Sequence, residues 1–93
     1  MTLRVLKWPV PVDGREHPIG DGTVLHVGCQ NNNHAVVYVW TLEPDGAQMR
    51  GRAARVFGTG QPLPEYIGAG YHLGSVVEGH LVWHCFSTRR DPA

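Results

Sequence analysis

In the run Ala35-Val36-Val37-Tyr38-Val39-Trp40-Thr41-Leu42, β-branched and aromatic residues fill positions 36 to 41 without a break. Such side chains fit a pleated, half-buried surface, so the run predicts a strand. Successive side chains of a strand point to opposite faces. Ala35, Val37 and Val39 therefore look one way, and Val36, Tyr38, Trp40 and Leu42 the other. Both faces are apolar. A strand with one solvated face alternates apolar with polar residues, so this one predicts cover on both sides. A loop wrapped over a small barrel would supply that cover, and so would a second subunit. The size of the apolar patch favours the second subunit, and hence a homo-oligomer.

Working outward, Thr23 to Gln30 reads as a second strand, joined to the first through Asn31-Asn32-Asn33. Asparagine tolerates left-handed backbone angles, so the two strands predict a hairpin. Thr2 to Trp8 is a further strand, with Pro9 and Pro11 expected to stop it. A short segment from Glu16 to Ile19 lies between the turn signals Asp13-Gly14 and Asp21-Gly22. Past Leu42, Glu43-Pro44-Asp45-Gly46 is a turn, and Met49 to Phe57 another strand. Gly58 to Pro64 makes an irregular elbow, with one helical turn expected near Glu65. Tyr71 to Val77 and His80 to Phe86 pair across Glu78-Gly79 as a closing hairpin. The expected fold is all-β, a mostly antiparallel small barrel or sandwich with at most one short helix. It forms one domain over residues 1–88, followed by a frayed tail over 89–93.

Bulk composition narrows the function. The 93 residues include 12 glycines and 7 prolines, which suit short strands and turns better than a helical bundle. Eight basic residues balance eight acidic ones, so no overall field draws the chain to duplex nucleic acid or a membrane surface. Arginines do cluster locally, at Arg50, Arg52 and Arg55 and at Arg89 and Arg90. Cys29 and Cys85 lie in apolar runs without Cys-x-x-Cys spacing, and are expected as free, buried thiols. The first residues lack the apolar stretch of a signal peptide, and no segment reaches the ~18 apolar residues of a membrane span. A soluble, cytoplasmic protein is the expectation.

Six histidines raise the question of a metal. His80 and His84 share a face of the last strand, but four residues place them about 13 Å apart, too far for one ion. His26 could reach either from a neighbouring strand, yet no acidic or thiol partner stands at fixed spacing. No metal and no cofactor is expected. Nucleophilic catalysis fares no better: His84 adjoins Cys85 but points to the opposite face, and no Gly-x-Ser-x-Gly elbow occurs. The reading is a binding protein, not an enzyme.

Gly58-Thr59-Gly60-Gln61-Pro62 offers more. Two glycines around a threonine leave backbone N–H groups open, with Arg52 and Arg55 just upstream. Such a combination cradles an anionic oxygen. Tyr66 and Tyr71 flank Gly68-Ala69-Gly70, a setting suited to a ligand-contacting loop. Nucleobases stack on such rings at roughly 1 to 3 kcal/mol each. The candidate ligand site is therefore Arg52, Arg55, Gly58, Thr59, Gly60, Tyr66 and Tyr71. Its partner is a small anionic ligand such as a cyclic nucleotide. The competing reading is that the glycines only turn the chain out of a strand.

Lys7-Trp8-Pro9-Val10, Val24-Leu25-His26-Val27-Gly28-Cys29-Gln30, Gly58-Thr59-Gly60-Gln61-Pro62-Leu63, Tyr66-Ile67-Gly68 and Leu81-Val82-Trp83-His84-Cys85-Phe86 follow one another along the chain. Taken together they resemble a family of short, uncharacterised proteins of tailed bacteriophages, grouped as a domain of unknown function. The family pattern has histidine where Gln61 stands, so a ring-nitrogen role there does not carry over. The resemblance implies a phage accessory protein and supplies no active site. By analogy with viral sponge proteins, compact oligomers that sequester cyclic nucleotide signals without cutting them, it suggests counter-defence. The alternative is a protein-interaction module, such as an inhibitor of a host enzyme or a minor virion component.

Overall fold

The computed structural model describes residues 2–30, 35–46 and 51–88. Two antiparallel sheets form a sandwich. Sheet 1 has the order β1 (Leu3–Pro11), β4 (Val36–Pro44), β3 (Thr23–Gly28). Sheet 2 runs β2 (His17–Pro18), β5 (Ala53–Gly58), β7 (Leu81–Ser87), β6 (His72–Glu78). At the seams β3 lies beside β6 and β1 beside β2, which draws the sandwich towards a flattened barrel. The all-β, antiparallel expectation holds. The helical turn is a short 3-10 segment at Ala69–Tyr71, not at Glu65, and closes on a Tyr71 N–H bond to the Gly68 carbonyl. No helix among the described residues is long and apolar enough to cross a membrane.

Strand β4 behaves as its alternation predicts. Val37, Val39, Thr41 and Glu43 turn inward and are buried, while Val36, Tyr38, Trp40 and Leu42 lie half-buried on the outer face. Val10, Val27, Val37 and Val39 of sheet 1 meet Ala54, Val56 and Cys85 of sheet 2, with Ile19 completing the core. Trp8, Leu73, Val76 and Trp83 pack around it. At the β3–β6 seam a Cβ on Gly74 would stand 2.7 Å from a Val27 methyl, so glycine is what lets these strands approach.

Three more expectations need correction, the first being the turn expected at Glu43-Pro44, where β4 runs on to Pro44. Pro9 and Pro11 do not stop the first strand, because β1 runs on to Pro11. The Val12 N–H donates to the Ala35 carbonyl at 2.8 Å, so the nitrogens of positions 9 and 11 point away from the sheet. An edge strand tolerates proline at such positions. The last hairpin turns on Gly79-His80, between the paired Glu78 and Leu81, one residue later than expected. Gly79 has φ +59°, as the first position of a primed turn requires. Asn31–Asn33, Met49, Arg50 and the tail from Arg89 lie outside the described residues.

Both cysteines are free. Burial pushes the Cys85 thiol up to about 12. Burial, together with the Glu78 carboxylate beside it, pushes Cys29 up to about 11. A raised folded-state value means the native state holds its proton more tightly than the unfolded chain. The resulting stability is full below the unfolded value and is lost as pH rises through the folded one. Denaturation midpoints should therefore fall from about pH 9 upward. At neutral pH a thiol reagent should react slowly with native protein and label two groups per chain once it is unfolded.

Candidate functional site

Arg52 and Arg55, three residues apart, serve different surroundings. Arg52 stands one residue ahead of β5 and is only 7% exposed. Its Nη1 donates to the Gly22 carbonyl at 2.8 Å and to the Gly20 carbonyl at 3.3 Å. Buried Glu43 accepts the Gly22 N–H on its two oxygens at 2.9 and 3.1 Å. Gly22 is thus held from both sides, a carboxylate on its amide and a guanidinium on its carbonyl. Only glycine fits there: a Cβ on Gly22 would lie 2.0 Å from the Leu42 carbonyl oxygen. Beside this clamp opens a cleft of about 500 Å³, lined by residues that include Asp21, Thr23, Arg52, Gly70 and His72.

Arg55 instead lies on the outer face of sheet 2. Strand register places it in a row with Phe86 and His72, next to a second row of Phe57, His84 and Ser75. The His72 and Phe86 ring centroids are 5.2 Å apart, and Phe57 meets Phe86 edge-on at 5.9 Å. The Arg55 guanidinium sits 4.9 Å from the centroid of the Phe57 ring. Its Nε is buried without a hydrogen-bond partner, and no carboxylate pairs with it among the described residues.

A hydrogen-bonded chain runs alongside. His84 Nε2 meets Thr59 Oγ1 at 2.9 Å, His84 Nδ1 meets Ser75 Oγ at 2.8 Å, and Ser75 Oγ meets His72 Nε2 at 2.9 Å. Ser75 has one proton, so it donates to one imidazole and accepts from the other. Thr59 Oγ1 also donates to the Val82 carbonyl at 3.5 Å, so it accepts from His84 Nε2, Ser75 donates to His84 Nδ1, and His72 Nε2 donates to Ser75.

Of the residues expected at the site, Arg55 and Thr59 border this face, Thr59 through its bond to His84, whereas Gly58 stands in the row of Trp83 and would turn a Cβ towards that ring. Gly58 to Gln61 is a closed turn: the Gln61 N–H bonds the Gly58 carbonyl, and the Gln61 side chain accepts the Gly58 N–H. The Gly58 amide is thereby engaged, and Gly60 supplies the φ of +87° that the turn requires. Tyr66 is exposed and Tyr71 half-buried, and no ring contact ties either to Arg55 among the described residues. His72, Ser75, His84 and Phe86 were missing from the expected set. The spacing of His84 and Phe86 on one strand was a legible sign of a shared face, whereas that of His72 and Ser75 was not.

A family model described as Domain of unknown function (DUF7352) matches residues 1–93. The chain belongs to this family. No curated protein and no solved structure matches it.

What this DUF7352 chain can do must therefore be read from its side chains. Both ring nitrogens of His84 are engaged by hydroxyls, so the imidazole lacks the carboxylate that steadies an imidazolium in a serine hydrolase. No group of three or more His, Cys, Asp or Glu is placed to hold a metal ion among the described residues. His26 belongs to sheet 1 and His84 to sheet 2, so the two do not meet on neighbouring strands. Among the described residues, the face offers a cation without a carboxylate partner, two aromatic rings in line with it and a row of hydrogen-bonding groups.

Proposed function

We propose that this protein is a non-catalytic binding module that holds a phosphorylated, ring-bearing small molecule on the outer face of sheet 2. A nucleotide or cyclic oligonucleotide has that chemistry. The observation that carries the reading is Arg55: a permanently charged guanidinium, fixed against Phe57, with no carboxylate against it among the described residues. Guanidinium is the side chain best matched to phosphate, through paired, charged hydrogen bonds. Phe86 and His72 continue the same row and give a base somewhere to stack. Thr59, Ser75 and His84 offer hydrogen bonds beside it.

The likeness to tailed-phage proteins supports a finer reading. Binding without turnover, in the cytoplasm of an infected host, would sequester a nucleotide immune signal as a sponge does. A protein-interaction module is the second reading, an inhibitor of a host enzyme or a minor virion component. Exposed Val77 and Leu81, near the β6–β7 turn of sheet 2, favour it.

A thermal-shift screen with AMP, cyclic di-adenylate, cyclic tri-adenylate and inorganic phosphate separates the two. A bound nucleotide stabilises by mass action, by about 2.7 kcal/mol when present at 100 times its Kd. Arg55→Ala should weaken that ligand by about 1.5 to 3 kcal/mol, or roughly ten- to a hundredfold. Arg55 is half-buried over the buried Phe57 ring, so the unliganded variant should melt somewhat lower through lost packing, and affinities are compared where both proteins are folded. A panel without any shift, or affinity untouched by Arg55→Ala, would defeat the reading.

A further inference from the structure

The outer face of sheet 1 has no counterpart to the polar chain on sheet 2. Register sets it out in rows: Val5, Leu42 and Thr23; Lys7, Trp40 and His26; Pro9, Tyr38 and Gly28. Leu3 and Pro44 extend it at one end, Pro11 and Val36 at the other. Its centre is aromatic, with Trp40 5.2 Å from the His26 ring and 6.1 Å from Tyr38. Val5 is 57% exposed and Leu3 56%, high values for aliphatic side chains on a sheet. We infer that this face is an interface that pairs with the same face of a second copy of the chain.

Three features choose a second copy over other occupants. Charge is the first. Lys7 is the one charged side chain in these rows, and it is already engaged, bonded to Gln30 at 2.9 Å and 4.9 Å from the Tyr38 ring centroid. Nothing on the face calls for a partner of opposite charge, and a chain of formal net charge zero does not repel its own copy. The second is self-complementarity. A two-fold pairing needs a patch that carries both halves of its own contact. Here the ridge of Pro9 and Pro11 stands beside the tilted rings of Tyr38 and Trp40, and proline against aromatic rings is a recurrent pairing.

Area is the third. β1 and β4 each have nine residues. At about 3.3 Å per residue and 4.8 Å between strands, the face spans roughly 30 by 15 Å. With side-chain relief that amounts to about 600 Å² of accessible surface per copy, or about 1,200 Å² in all, the lower end of specific interfaces. Two such sheets stack face to face about 10 Å apart. The expected complex is a weak dimer, with Kd near the micromolar range.

Sedimentation equilibrium at up to ~100 µM, well above that range, reads the result. Wild-type protein should approach twice the 10.3 kDa of one chain. Val5→Glu places a charge at the interface on an exposed position, and should give monomer with an unchanged far-UV circular dichroism spectrum. A wild type that stays at 10.3 kDa overturns the inference, as does a dimer that Val5→Glu leaves intact. A monomer whose tryptophan emission shifts on adding a polyproline peptide would assign the face to a foreign segment, and overturn it too. Nucleotide binding at Arg55, on the other sheet, is read separately and does not decide the outcome.

Discussion

Arg52→Ala is expected to destabilise the protein by about 3 kcal/mol, since two charged hydrogen bonds from a buried guanidinium are lost together. A chain of 93 residues has roughly 5 to 14 kcal/mol of stability in total, so the loss is a large fraction. In a domain this size it lowers the melting temperature on the order of 15 °C. The mechanism is specific. Without the guanidinium, the carbonyls of Gly20 and Gly22 lose a donor, and Glu43 keeps its grip on a turn no longer held from the other side. Arg52→Lys should recover part of the loss, because an ammonium keeps the charge but not the planar fork. Urea unfolding is the measurement. A variant within ~0.5 kcal/mol of wild type, the usual range for an uninvolved surface position, would show that Arg52 does not hold this turn.

Gly22→Ala should cost more. The new methyl carbon would stand 2.0 Å from the Leu42 carbonyl oxygen, and that atom belongs to β4, the central strand of sheet 1. Backbone cannot swing aside as a lysine tip can, so either β4 shifts or the turn lifts off. If the turn lifts, the Glu43 and Arg52 bonds to Gly22 go with it. Overpacking alone costs about 1 to 3 kcal/mol, and each lost charged bond adds about 1.5 to 3 kcal/mol. Together these start at about 4 kcal/mol, which approaches the whole stability of a small domain. Gly14→Ala is the control. Gly14 has φ +76° but nothing within 4 Å of its added Cβ, so its cost should be only about 1 kcal/mol. Equal urea midpoints for the two variants would contradict the clamp.

How far the sequence spoke depended on whether a feature was local. The two faces of β4 were legible because alternation needs only the strand itself, and Val37 and Val39 are buried as that pattern requires. Arg55 and Thr59 were legible as candidates by charge and neighbourhood, and both border the face that carries Phe86, His84 and His72. Pro9 and Pro11 misled, because only the sheet order shows that β1 is an edge strand. His72 and Ser75 have odd spacing, which in a regular strand puts them on opposite faces. A register shift between His72 and Gly74 turns both outward, and no sequence pattern announced it. Arg52 looked like a partner for Arg55 because the two are close in the chain. Its bonds to Gly20 and Gly22, some thirty positions upstream, appear only once the chain is folded.

Side-chain NMR of the histidine rings tests the binding face most directly. The rings report on different surfaces: His72 and His84 on the outer face of sheet 2, His26 on that of sheet 1. Titration with whichever of AMP, cyclic di-adenylate and cyclic tri-adenylate shifts the melting temperature most should move the His72 and His84 ring signals together. The His26 signals should stay in place. Shifts confined to His26, or saturating binding that leaves His72 and His84 unmoved, would contradict a ligand site on sheet 2.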